Sequence, residues 1–391
     1  MSHFIPTDEN KEEPVRQQLI PAKLAALIER AGGETAPDGA VMEVTGKAAK
    51  KKDAPAKVPV IHTLDSLKHH LQKAIELEHS TIPPYLCALY SIKEGTNADA
   101  VKIIRSVVVE EMLHMVMAAN ILNAIGGSPS INTKEFIPKY PGPLPDIDPK
   151  FEVGLLKFCP AAVETFLRIE LPDQDLKEPK AAHDFETIGQ FYYAITQGLV
   201  YLNEQSEGAI FNKNRNQVTA DEYYGSGGKL LAVHDIHDAL LVIKEIVGQG
   251  EGVDGTIIDS DSLLFGQGIE YAHYFRFNEI LQERYYCAED KASDPPNGEK
   301  MPVDWKGVHN MRPNPKMADY AKGSPIWTAT YEFNKTYMAL LNNLHEACNG
   351  KQQVLREGLM LMYDLKYKAQ ALMALPAGKG ETAGPSFEYV S

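Results

Sequence analysis

The chain has 391 residues, 44% of them hydrophobic, and a formal net charge of −14. That length and apolar content suffice for one large soluble domain or two ordinary ones, and the acidic balance speaks of solubility rather than of a partner. The single basic cluster, Lys47 to Lys57, lies outside the patterned region and lacks interleaved aromatics, which argues against a nucleic-acid groove. Cys87, Cys159, Cys287 and Cys348 show no Cys-x-x-Cys spacing, so neither a zinc ribbon nor a disulfide framework is implied. No uninterrupted apolar run of about 18 residues occurs, and the opening MSHFIPTDENKEEP has no signal-peptide character. The expected compartment is the cytoplasm, with no membrane partner.

Residues 1–58 form an extension in which Val15 to Ala31 predicts a short amphipathic helix, followed by a Gly-, Pro-, Ala- and Lys-rich linker. Strong periodicity begins at His62. A helix is predicted from about Thr63 to Lys93, kinked by Ile82-Pro83-Pro84, and a second from about Asn97 to Ile125, ended by Gly126-Gly127. A Pro-rich connection from Ser128 to about His183 contains one helical piece near Ala161 to Ile169. Its length suits the crossover between two up-down helix pairs. Helices follow from about Phe185 to Glu207, His234 to Gly250 and Ser262 to Ala288. A polar stretch, residues 291–326, then leads to a C-terminal helical hairpin at 327–376 and a tail at 377–391. The hairpin helices, Thr328 to Cys348 and Lys351 to Leu375, share a leucine seam that packs on the bundle or on a second subunit of a homodimer. The expected architecture is all-α: a four-helix bundle at 59–290 with a long crossover, plus the hairpin.

Within this pattern lie two Glu-x-x-His motifs, Glu111/His114 and Glu270/His273. Carboxylate and imidazole three residues apart share one helix face. Two such pairs, each joined by one further Glu, make the donor set of a carboxylate-bridged dimetal site. Helical phase supports both pairs: Ile104, Val107, Val108, Glu111, His114, Met115 and Ala118 form one stripe, and Glu270, His273, Phe277, Ile280 and Leu281 another. A third match, Glu76/His79, shares its phase with His69, Gln72, Lys73 and Pro83, a solvated face, and is set aside. Buried ionised groups cost several kcal/mol unless paired or metal-bound, so a shared pair of cations explains both motifs. The bland alternative is hydrogen bonding among these residues and Arg105 or Arg276.

The same phase argument selects the single carboxylates. Leu64, Leu67, Leu71, Ala74 and Glu78 form a stripe, which puts Glu78 inward and Glu76 outward. Leu240, Ile243, Val247 and Glu251 form another, favouring Glu251 over Glu245. Gln190 is a poor ligand and is expected behind the donors. His234 and His237 read as surface or capping residues, the aromatics near the motifs as core, and no phosphate cradle or serine-hydrolase motif is present.

Several segments together resemble the ferritin-like domain family of the iminophenyl-pyruvate dimer synthases, which includes portions of violacein- and rebeccamycin-pathway enzymes. They are AIELEHSTIPPYLCALYSI (74–92), VVVEEMLHMVMAANILNAIGGSP (107–129), FIPKYPGPLP (136–145), TIGQFYYAI (187–195), IVGQGEG (246–252), EYAHYFRFNEI (270–280) and AGPSFEY (383–389). The resemblance covers about residues 60–391 and implies a ferritin-like bundle holding two metal ions, iron or alternatively manganese. It strengthens Glu78, Glu111, His114, Glu270 and His273, and favours Glu251, as metal ligands. One departure is Gln190, where the family often has Glu. The resemblance implies a non-haem oxidoreductase with a small-molecule substrate, an amino-acid-derived imine in the characterised relatives. A non-catalytic iron-binding or oxidant-scavenging protein, or a pathway interaction module with a degenerate site, is the alternative.

Overall fold

The computed structural model describes residues 58–173, 177–211, 216–223, 227–252, 256–261 and 269–391. The N-terminal helix expected at Val15 to Ala31 and the basic linker lie outside the described residues.

Eight α-helices among the described residues carry the fold, and the only strands there are two short pairs. Helix α1 (Leu64–Ser91) starts at Thr63, whose hydroxyl accepts the Ser66 N–H, and folds back through a short connection onto α2 (Ala98–Ala124). The apolar α2 has the length and hydropathy of a membrane span, yet 89% of that stretch is buried inside the bundle.

Pro83 and Pro84 sit within one continuous helix rather than interrupting it. Pro84 cannot donate to the carbonyl of Ser80, and the Tyr140 hydroxyl takes that donor's place at 2.6 Å. The crossover carries β1 (Gly142–Pro143), antiparallel to β2 (Glu152–Val153), and the short helix α3 (Pro160–Ile169). The second helix pair is α4 (Ile188–Gln205) and α5 (Ile236–Glu251), both begun by side-chain caps from Thr187 and Asp235.

The last bundle helix differs most from expectation. Among described residues α6 runs only His273–Gln282, because an antiparallel bridge between Ile258 and Tyr271 holds the preceding backbone extended. The short helices α3 and α6 pack on each other at one end of the bundle, where Tyr85, Phe166 and Phe277 meet.

The C-terminal hairpin, α7 (Pro325–Cys348) and α8 (Leu355–Met373), packs on the bundle. Asn123 of α2 donates to the Cys348 carbonyl at 2.8 Å. A small hairpin of β3 (Pro376–Gly378) and β4 (Glu381–Thr382) then sends the tail back across α7. There Phe387 is buried edge-on to Phe333 and Tyr337. His79, expected on a solvated face, is instead buried beneath this hairpin, stacked on Tyr337 with Nε2 2.8 Å from its hydroxyl. The period of α1 alone did not contain that covering layer.

Candidate metal centre

Five donors converge in the bundle interior. Glu78 comes from α1, Glu111 and His114 from α2, Glu170 from the C-cap of α3 and His273 from the first residue of α6. They form two groups of three, Glu78/Glu111/His114 and Glu111/Glu170/His273, each with its ligand atoms within 4.8 Å of one another. Glu111 belongs to both.

Each imidazole turns Nδ1 to the carboxylates. His273 Nδ1 is 3.0 Å from Glu111 Oε1 and 3.3 Å from Glu170 Oε2. His114 Nδ1 is 3.6 Å from Glu78 Oε2 and 3.8 Å from Glu111 Oε1, too long for hydrogen bonds. Donors held at about 2.1 Å from one ion stand roughly 3.0–3.6 Å apart at angles of 90–120°, so the separations of 3.0, 3.3 and 3.6 Å fit a cation and that of 3.8 Å is slightly wide.

The outer oxygens of the carboxylates are already engaged. The Tyr192 hydroxyl donates to Glu78 Oε1, Tyr85 donates to Glu170 Oε1 at 2.5 Å, and Thr81 donates to Glu111 Oε2 at 2.8 Å. Each terminal carboxylate is thus held by a buried tyrosine that leaves its second oxygen facing inward. The Nε2 atoms are held too: His114 against Gln249 Oε1 and His273 against Glu110 Oε2, both at 2.7 Å.

Electrostatics point the same way. Burial raises Glu110, but the Arg276 guanidinium and the His273 imidazole outweigh it and bring the carboxyl down to about 2. Arg276 is therefore spoken for by Glu110, which it grips with both terminal nitrogens. Among the described residues, Glu78, Glu111 and Glu170 meet no Lys or Arg, only the hydroxyls above and the two imidazoles. Burial, reinforced by Glu170 and Glu78, raises the Glu111 carboxyl. Burial lowers His273, yet Glu170, Glu110 and Glu111 together hold it well above 6.5, and His114 is raised against its own burial by Glu78 and Glu111. Three buried carboxylates with no Lys or Arg partner among the described residues, and two imidazoles with oriented inner nitrogens, would suit two divalent ions with Glu111 shared between them.

Of the six residues expected as ligands, the structure brings four together: Glu78, Glu111, His114 and His273. Glu270 stands apart. It precedes α6, its side chain is exposed, and among the described residues it reaches Arg276, at 3.5 Å. The three-residue spacing to His273 has no helical meaning there. Glu251 ends α5 with its carboxylate against Gly189, where a Cβ would come within 2.3 Å of Oε1, and it accepts the Asp173 N–H at 3.0 Å. Burial pushes this carboxyl up to about 8. Glu245, disfavoured by helical phase, is fully buried beside Gln249 and Ser260, and burial with its neighbour Asp261 pushes it up to about 10. Gln190 pins the incoming loop, accepting the Glu186 N–H and donating to the Lys177 carbonyl.

Glu170 escaped the sequence reading, although the signal was present. Val163, Phe166 and Glu170 follow the buried stripe of α3, one residue past the expected helix end.

A family model described as Ferritin-like matches residues 71–282, more than half of the chain. Among solved structures, a ferritin-like protein from Caulobacter vibrioides is similar, with 25% identity and a TM-score of 0.59 over 84% of this chain and all of that one. No curated protein matches the chain.

Proposed function

The chain belongs to the ferritin-like family, and from that premise we propose that it is a non-haem dimetal oxidoreductase, its metal iron, acting on a small organic substrate. The observation that carries this reading is the sharing of Glu111 between two donor groups, each completed by one imidazole and one terminal carboxylate. Glu111 would bridge, Glu78 and His114 would complete one ion, and Glu170 and His273 the other. Carboxylate oxygens with one nitrogen per ion suit iron, with manganese the alternative. Iron bound there would supply one-electron redox chemistry toward dioxygen or peroxide.

The chain's own residues do the rest. Tyr192 and Tyr85 fix the terminal carboxylates, Gln249 and Glu110 fix the imidazole rings, and all five donors are at most 5% exposed, which keeps bulk water off them. An amino-acid-derived imine is the substrate class favoured by the resemblance to the iminophenyl-pyruvate dimer synthases. The same reading makes the protein cytoplasmic, with a small-molecule substrate and no nucleic-acid or membrane partner.

The burial of all five donors also favours a second reading, an iron-binding or oxidant-scavenging protein reached only by small molecules. Anaerobic loading with ferrous iron, metal counting, and then admission of oxygen test both. Binding of about two irons per chain, lost in Glu111→Ala, with oxygen uptake coupled to conversion of an added imine, supports the oxidoreductase. Oxygen or peroxide consumption without organic turnover supports scavenging. Less than one equivalent of metal, unchanged by Glu111→Ala, overturns both.

A further inference from the structure

The inner donors of the two metal positions are alike, but what backs them is not. Each position has one imidazole Nδ1, one terminal carboxylate held by a tyrosine hydroxyl, and a share of Glu111. Behind His273 stands Glu110, whose carboxylate oxygen lies 2.7 Å from Nε2. Behind His114 stands Gln249, whose amide oxygen lies 2.7 Å from Nε2.

The orientation of that amide follows from its surroundings. Its Nε2 faces three oxygens: the Gly227 carbonyl at 2.9 Å, Asp261 Oδ1 at 2.9 Å and Glu245 Oε1 at 3.3 Å. Because a carbonyl oxygen cannot donate to the Gly227 carbonyl, the NH2 must lie on this side and Oε1 must face His114. Both histidines therefore carry a proton on Nε2 and offer Nδ1 to metal. They differ in the charge of the acceptor.

A carboxylate accepting the outer N–H raises the basicity of the ligating nitrogen more than a neutral amide does. Spacing adds to this difference. The donors around His273 stand at 3.0 and 3.3 Å, inside the spacing for one ion, whereas those around His114 stand at 3.6 and 3.8 Å, at and beyond its upper limit.

We propose that Glu110 and Gln249 make the two metal positions unequal: the Glu111/Glu170/His273 position fills first and holds its ion, and the Glu78/Glu111/His114 position is the weaker, exchangeable one. This rests on the dimetal reading above. Glu110 and Gln249 act as positioning residues, through the imidazoles they hold.

Manganese(II) titration of the metal-free full chain, followed by equilibrium dialysis and electron paramagnetic resonance, tests it. Two classes of site are expected, their dissociation constants separated by about tenfold or more, the usual scale of an outer partner's influence. An isolated-ion signal should appear first and give way to a spin-coupled one as the second position fills. Glu78→Ala should keep the tight class and lose the weak one, and Glu170→Ala should do the reverse. Glu110→Gln should weaken the tight class about 10- to 100-fold and leave the weak class in place. If that variant fails to fold with Arg276 unpaired, the two alanine variants decide alone. Equal affinities, simultaneous filling, or loss of the tight class in Glu78→Ala would overturn the inequality while leaving the dimetal centre intact. Absence of manganese and iron binding in the unaltered chain would instead refute the dimetal reading, and this inference with it.

Discussion

The rings of His114 and His273 stack in the bundle interior with centroids 5.7 Å apart and planes inclined by 22°. One ring comes from the middle of a long helix and the other from the first turn of a short one, 159 positions later by subtraction of their numbers. Two imidazoles placed face to face among carboxylates repel if both are protonated, and they gain if cations replace those protons. Metal loading, acid sensitivity and the effects of single substitutions follow from that arrangement.

Removal of the shared carboxylate should be the most damaging single change to metal content. Glu111→Ala should abolish both ions, whereas Glu78→Ala and Glu170→Ala should each remove one. Metal per chain by mass spectrometry checks this. Retention of both ions in Glu111→Ala would show that Glu111 does not bridge.

Metal uptake should release protons. Carboxylates hold His114 and His273 above the ordinary histidine value in the metal-free protein, and an ion needs the deprotonated Nδ1. Protons should appear in solution as the ions bind, and affinity should rise as pH rises. The buffer dependence of the binding enthalpy measures this release. A heat independent of buffer ionisation would contradict it.

Burial pushes His79 down to about 3 from 6.5, so the unfolded chain binds more protons than the folded one between those values. Stability from this residue is present above about pH 6.5 and is lost as pH falls toward 3, with a slope of up to about 1.4 kcal/mol per pH unit. His79→Gln should flatten the acid limb of the stability curve in that window. Denaturant midpoints from pH 7 to pH 4 provide the comparison, and parallel curves would count against the assignment.

Glu251 has the opposite sign. Its folded carboxyl is raised to about 8 by burial, above the ordinary 4.5, so keeping it folded becomes costlier as pH rises from about 4.5 through 8. Glu251→Gln, which still accepts from the Asp173 N–H, should stabilise the chain at pH 8.5 and change little at pH 4.5. Because Glu251 lies outside both donor groups, two ions should still bind. Loss of an ion in this variant would place Glu251 at the metal after all.

The C-terminal tail should prove structural. Phe387 is 2% exposed between Phe333 and Tyr337, so Phe387→Ala should cost about 3–5 kcal/mol through lost burial and a cavity. Metal stoichiometry at low temperature should stay unchanged. Thermal melts with and without metal separate the two effects.

Much of the site could be read from helical phase, and the limits of that reading are physical. Phase placed Glu78 inward and Glu76 outward, and in the structure Glu76 pairs with Lys73 at 2.6 Å near the surface. Phase assumes a helix, however. Glu270 lies on the helical stripe of His273 only if the helix extends back to it, and the Ile258–Tyr271 bridge ends the helix at His273 instead. Glu170 was passed over for a related reason, since it caps a short helix whose end is hard to place. Phase disfavours Glu245 as a ligand and puts His79 on a solvated face, because their own helices leave them on poorly apolar faces. The segment at Asp259 to Asp261 covers one, and α7 covers the other.

The sequence by itself determined the all-α architecture, the long crossover, the C-terminal hairpin and the face on which Glu78, Glu111 and His114 lie. These are periodic or short-range properties, set by backbone geometry within one helix. Only the tertiary structure decided that Glu170 rather than Glu270 or Glu251 joins them, and that a carboxylate backs one imidazole and an amide the other. Those choices depend on contacts such as Glu110–His273 and Gln249–His114, between residues more than a hundred positions apart, and no local period encodes them.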